Sequence, residues 1–337
     1  MLARLWWTPL LLALGCGSSP DAADAVDTDP TTDSSSSTTR PTSAPDTAST
    51  SDTASVPDTG TLTDTGRAEH LDPHVMTWVP PEWSPQDVVR VVFLGDSITA
   101  GQGVFNPRGD YASLLVDNDD ANWPDHAEAD LAARFPGLEV IDVSRSGATT
   151  EDVLAIQLPA IEEQLGPVVS GTTLVVGTVG GNDIGDLLFG FGDVEAEVTR
   201  ISDNVAEIAS WFGDPARFPD PTYTYLTNIY EPTDDQAQAD ECFYGIDVAF
   251  LQPAFLDINA RTREAAQRDN WAWIDLYGHF LGHGMNHDEP EIEYYHSDDP
   301  TLWLASDCIH PNGRGHHEVR RLFLYAIDNE PLPRVDP

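Results

Sequence analysis

The sequence contains no lysine. Its 16 basic residues are all arginine and face 57 Asp and Glu, for a formal charge of −41 at pH 7. Phosphate backbones and anionic headgroups are bound through Lys and Arg, so nucleic acid is excluded as a partner class. Acidity of this degree serves solubility and by itself names no ligand. Long apolar runs are also missing. The one near the start, about a dozen residues between Arg4 and Cys16, is too short to span a bilayer, and no other stretch is longer. No internal repeat is visible.

What is present changes character along the chain. Residues 1–16 read MLARLWWTPLLLALGC, an Arg-bearing start, an apolar stretch and a small residue before Cys16, the pattern of an export signal. Leu14-Gly15-Cys16 resembles the lipobox of bacterial lipoprotein signals, with Ala13 where Leu is usual. That resemblance implies a lipidated Cys16 holding the mature protein on a membrane surface without a transmembrane helix. Gly17 is not the Asp that retains many lipoproteins at an inner membrane, so by the same resemblance the outer membrane or cell surface is the expected address. An ordinary signal peptide with an incidental Cys is the alternative, and the protein would then be secreted.

Residues 17–68 are almost entirely Ser, Thr, Asp, Ala and Pro. Such a segment cannot bury enough apolar surface to offset its ordering entropy, and it is expected to be a disordered tether. The remaining segment, 75–330, has the length of one α/β domain. With Cys16 lipidated, Cys242 and Cys308 are an even pair in an oxidising compartment, and a disulfide is expected between them, two free thiols being the alternative.

Within 75–330, short β-branched runs at 88–94, 138–143, 173–179, 222–229 and 271–276 read as strands. Helical periodicity occupies 127–135, 150–165, 194–212 and 249–268, and a last helix runs from near Pro311 or Asn312 to about Ile327. Strand alternating with helix predicts a parallel sheet covered on both faces, a three-layer α/β/α sandwich. In that class, ligands bind beyond the carboxyl ends of the strands.

Four motifs fall at such ends. Gly95-Asp96-Ser97 follows the first strand and offers a nucleophile at a sharp turn. Gly147, in Ser144-Arg145-Ser146-Gly147, follows the second and offers a backbone N–H. Gly180-Gly181-Asn182-Asp183 follows the third, and the Asn182 amide is a neutral donor suited to an oxyanion. Asp307-Cys308-Ile309-His310-Pro311 spaces a carboxylate and an imidazole so that one turn can join them, leaving the other ring nitrogen for Ser97. Singly, each is also an ordinary turn or helix-start signal. Together they supply a nucleophile, base, orienting acid and oxyanion donors.

Gly-Asp-Ser, the isolated Gly, Gly-x-Asn-Asp and Asp-x-x-His-Pro, in that order, resemble the four blocks of the SGNH (GDSL-like) hydrolases over roughly residues 88–328. The resemblance implies a flavodoxin-like five-stranded parallel sheet. It also implies Ser97 as nucleophile, Asp307 and His310 completing a triad, an oxyanion hole of Ser97, Gly147 and Asn182, and no metal or organic cofactor. Ile98 stands where the family name has Leu. The implied reaction is hydrolysis of acyl esters through an acyl-enzyme, on small esters, lipids or acylated polysaccharides. A surface carbohydrate-binding lipoprotein that keeps the fold without turnover is the alternative, and the residues leave the oligomeric state open.

Two features lie outside the motifs. His279, His283 and His287 recur every four residues, as metal ligands on a helix would, but Gly278, Gly282 and Gly284 argue against a helix there. A lid over the acyl pocket is the expected role of this histidine stretch, and the long polar segments 231–244 and 278–304 read as functional or mobile loops. Trp123, Trp303, Tyr294 and Tyr295 either line a cleft or pack in the core, the latter being the expectation.

Overall fold

The computed structural model describes residues 77–106, 108–188, 193–236 and 249–332. Cys16, Cys242 and the segments 1–16 and 17–68 lie outside the described residues.

Five parallel strands form one sheet: β1 (Val88–Gly95), β2 (Glu139–Asp142), β3 (Thr172–Thr178), β4 (Thr222–Thr227) and β5 (Ala272–Ile274), in the order β2-β1-β3-β4-β5. This is the flavodoxin-like order and confirms the expected fold class. The central runs β1 and β3 are apolar on both faces because both are covered, whereas the edge strand β2 buries only Ile141. Val91 and Phe93 of β1, with Leu174 and Val176 of β3, face a core shared with Tyr111, Leu115, Val319 and Phe323. Their neighbours Val92, Leu94 and Val175 face the opposite core, with Val153, Leu158, Ile161 and Ile208.

The helices are α1 (Tyr111–Val116), α2 (Leu131–Arg134), α3 (Thr150–Asp152), α4 (Leu158–Leu165), α5 (Ile184–Leu188), α6 (Val194–Phe212), α7 (Gln252–Asp269), α8 (Leu276–Phe280) and α9 (Gly313–Ile327). A few of the acidic residues cap their starts. Asp110 accepts from the Ser113 N–H at 2.8 Å, Asp130 from Ala133 at 2.8 Å, Asp193 from Glu195 at 3.1 Å, and Thr149 with Asp152 forms a capping box. The expected helix at 150–165 is one rod with a π-helical stretch at Val153–Gln157 between α3 and α4. The helix expected at 127–135 shrinks to α2. The short α1, α5 and α8 were not expected, because five or six residues give too little periodicity to read. No described helix is long and apolar enough to cross a membrane.

Asp275 caps α8 through the Gly278 N–H at 3.0 Å and accepts from Asn228 Nδ2 at 2.8 Å. Burial outweighs these two bonds and pushes its carboxyl up to about 7. A carboxyl raised on folding stabilises the fold below its unfolded value, and that contribution is lost as pH rises through about 7. Asp275→Asn keeps a cap oxygen and removes the charge. Its melting temperature should therefore gain on wild type as pH is raised from about 5 to about 8; parallel curves would contradict this.

Candidate active site

Ser97, Gly147 and Asn182 stand beyond the carboxyl ends of β1, β2 and β3, around the point where the strand order reverses, and His310 reaches them from the turn before α9. His310 Nε2 lies 2.8 Å from Ser97 Oγ, and His310 Nδ1 lies 2.7 Å from Asp307 Oδ2. The other carboxylate oxygen of Asp307 accepts the N–H groups of Ile309 at 3.1 Å and His310 at 3.0 Å. One side chain thus shapes the turn and orients the ring. Burial acts to raise the Asp307 carboxyl, but the His310 ring and these backbone donors outweigh it and hold it at about 2. The base of the turn is fastened by Asn312, whose Nδ2 donates to the carbonyls of Leu302 and Leu304 at 2.7 and 3.0 Å.

Ser97 rests on a buried polar chain. Asp96 Oδ1 accepts from Thr178 Oγ1 at 2.7 Å and from the Ile98 N–H at 3.0 Å, and Thr99 Oγ1 pairs with the hydroxyls of Thr178 and Tyr111, each at 2.8 Å. Burial raises the Asp96 carboxyl to about 6 despite its two hydrogen bonds. Behind Asp96, Gln157 grips Gly95 by both backbone groups: its Oε1 accepts the N–H at 2.7 Å and its Nε2 donates to the carbonyl at 2.8 Å. Gln157 ends the π-helical stretch, a local widening of the helix that recurs at functional sites.

The second and third motifs are stitched together. Asp183 accepts from the Thr150 N–H at 2.8 Å and the Thr150 hydroxyl at 2.7 Å and pairs with Arg200 at 3.1 Å. Asn182 Nδ2 donates to the Ala148 carbonyl at 3.0 Å, which leaves its second amide hydrogen uncommitted. Gly147 has φ +79° with no atom within 4 Å of where a Cβ would stand. The glycine is there for its backbone conformation and not for a close approach. Among the described residues, neither the Ser97 nor the Gly147 N–H donates a hydrogen bond within the protein.

Ser97, His310 and Asp307 are thus joined by hydrogen bonds, and Asn182 is joined to Ala148, the residue after Gly147. Sequence reasoning missed Gln157 and His316 and gave Asp183, the end of the third motif, no role of its own; His316 Nε2 donates to the Gln102 carbonyl at 2.9 Å and its Nδ1 accepts the Tyr111 N–H at 3.2 Å. Gln157 and His316 look like ordinary helix residues until their contacts, far away in sequence, are known. Cys308 occupies the turn between Asp307 and His310 with φ +61°; Cys242 lies outside the described residues.

The histidine segment is not a helix of metal ligands. His279 sits on α8 and meets Glu318 at 3.1 Å, while His287 meets the Gly284 carbonyl at 3.0 Å. His283 stacks between Trp303, at 3.5 Å, and His296, at 4.7 Å. Among the described residues, no three His, Cys, Asp or Glu are grouped to hold a metal. The segment is also tied to a neighbouring loop near its start. Asp234 accepts the N–H groups of Gly282, Gly284 and Asn286, each at 2.8 Å. Trp303 is core, as expected; Trp123 is half-buried and lines a cavity.

A parallel α/β/α sandwich with a Ser–His–Asp contact at its switch point defines the serine hydrolase class. The profile of the GDSL-like lipase/acylhydrolase family matches residues 93–318, and the chain belongs to that family. It is accordingly a carboxylic ester hydrolase of the serine type. The chain is 29% identical over 265 residues to Lipase 2 of Streptomyces coelicolor, covering 70% of this chain and 84% of that one. To a lipase of Streptomyces rimosus it is 29% identical over 242 residues, covering 66% and 81%. Among solved structures, phospholipase A1 of Streptomyces albidoflavus superposes with a TM-score of 0.46 at 20% identity, covering 72% of this chain and 99% of that one.

Proposed function

We propose that this protein is an exported, membrane-anchored esterase that hydrolyses acyl esters of lipids or carbohydrates, with Ser97 as nucleophile, His310 as base and Asp307 as orienting acid. The observation that carries it is the continuous contact from Ser97 Oγ through both ring nitrogens of His310 to Asp307. Asp307 accepts the Nδ1 proton, which leaves Nε2 free to take the serine proton. Ser97 Oγ attacks the ester carbonyl, and the N–H groups of Ser97 and Gly147 with the free hydrogen of Asn182 receive the oxyanion. The C–O bond to the alcohol breaks as His310 returns the proton to the leaving oxygen. Water then attacks the acyl-enzyme by the same route, freeing the acid and restoring Ser97.

Export and anchoring belong to the same reading and rest on the signal-like residues 1–16, with Cys16 as the lipidated residue and 17–68 as the tether between membrane and domain. A Cys242–Cys308 disulfide also belongs to it, supported by Cys308 carrying its sulfur in a disulfide. It would brace the turn that holds Asp307 and His310.

The test is hydrolysis of p-nitrophenyl acetate, butyrate and octanoate by the full chain beside Ser97→Ala, with labelling by a fluorophosphonate probe. Ser97→Ala should lose about 10⁴-fold or more in kcat and all labelling. A folded Ser97→Ala variant that keeps activity would overturn the assignment. Cys16→Ala should move the protein from membrane to soluble fractions, and an unchanged distribution would remove the anchor.

A further inference from the structure

The loop that follows Ser97 runs directly against the His310 turn. A Cβ on Gly103 would lie 3.0 Å from His310 Cβ and 2.2 Å from the Pro311 carbonyl oxygen, so only glycine, here with φ +104°, fits. Gly103 and Gly313, three residues beyond His310, form one rim of an open cavity of about 400 Å³. The remaining lining includes Phe105, Asn106, Asp119, Asn122 and Trp123.

Position assigns the cavity to one half of the ester. The proton that His310 takes from Ser97 is handed to the leaving oxygen, so the alcohol must depart on the His310 side. The carbonyl oxygen turns the other way, toward Gly147 and Asn182. A cavity whose wall includes Gly103, the residue packed against the His310 turn, is therefore assigned to the alcohol side.

Its chemistry narrows the alcohol. Phe105 is fully exposed, a phenyl ring in water, and Trp123 has one face stacked on His317 at 3.5 Å. Aromatic faces suit the C–H face of a sugar ring, and the amides of Asn106 and Asn122 with the Asp119 carboxylate offer the donors and acceptors that hydroxyls require. Asn122 Nδ2 donates to Asp119 Oδ2 at 2.7 Å, which sets this pair in place before any ligand arrives. The lining contains no cationic side chain, and Arg108, close by in sequence, is paired with Asp117. A phosphate would meet no counter-charge there and would face Asp119.

We propose that this cavity binds the alcohol half of the substrate, and that this alcohol is a neutral, hydroxyl-rich ring, the sugar unit of an acylated saccharide. The inference rests on the serine esterase reading above and names its substrate class.

The experiment compares kcat/KM of the full chain on methyl glucoside monoacetate, acetylcholine, lysophosphatidylcholine and ethyl acetate. Wild type should prefer the glucoside ester. Phe105→Ala and Asn106→Ala should each lower the ratio of glucoside ester to ethyl acetate by about tenfold. Phe250→Ala, another exposed phenyl but outside the cavity, should leave the ratio as in wild type. A ratio unmoved by both cavity variants overturns the proposal. So does a preference for either choline-containing ester that Asp119→Asn abolishes. Wild type that hydrolyses none of the four and takes no fluorophosphonate would instead overturn the esterase reading.

Discussion

Asp307→Asn should lower kcat for ester hydrolysis by about 10³- to 10⁴-fold with little change in KM. The reason lies in what already holds the carboxylate. Asp307 Oδ1 is committed to the Ile309 and His310 N–H groups, so the asparagine must keep its oxygen there and turn its amide nitrogen toward His310 Nδ1. Nδ1 would then have to accept, the ring proton would sit on Nε2, and Nε2 could no longer take the proton of Ser97. Backbone geometry is preserved, so the loss falls on kcat. His310→Ala should cost about as much, and the double variant little more than either, because the groups act as a unit. With the Asp307 carboxyl held at about 2, it stays ionised through the acid range, and what it adds to stability is lost only as pH falls toward that value. A loss below tenfold in Asp307→Asn, measured by steady-state hydrolysis, would show that the ring is oriented by something else.

The second large effect is on folding. Gly95→Ala should destabilise the domain by about 4 kcal/mol or more, seen as a collapse of the melting transition or as insoluble protein. Gly95 has φ +117°, and a Cβ there would stand 2.0 Å from the Thr178 carbonyl oxygen, which is backbone of the paired strand β3. Neither strand can retreat, because Gln157 holds both backbone groups of Gly95 and the cores on either side are filled. Gly147→Ala is the comparison: its φ of +79° carries strain of about 1–2 kcal/mol, but the space is open, so the variant should fold. Equal stability of the two variants would refute the steric argument.

Much of the fold was legible in the sequence because parallel strands buried on both faces are near-continuous β-branched runs, and all five were expected within a few residues of their ends. The long helices α6, α7 and α9 were legible for the same reason, since a 3.6-residue period shows over fifteen or more residues. Composition shows the glycines and charges of segment 278–304 but not Asp234, which gathers three of its N–H groups from a different loop.

By itself, the sequence determined the five strands and the long helices, the absence of any cationic surface from lysine, and the order of the four motifs. These are local properties, set by side-chain period, backbone preference and charge. Only the tertiary structure decided that Ser97 meets His310 across 213 positions, that Gln157 clamps Gly95 across 62, and that the Ser97 and Gly147 N–H groups donate to no other described residue. It also decided that Gly103, in the loop after Ser97, packs against the His310 turn and lines a cavity. Such contacts follow from strand order and from which loops share one edge of the sheet, and no local period in the chain encodes them.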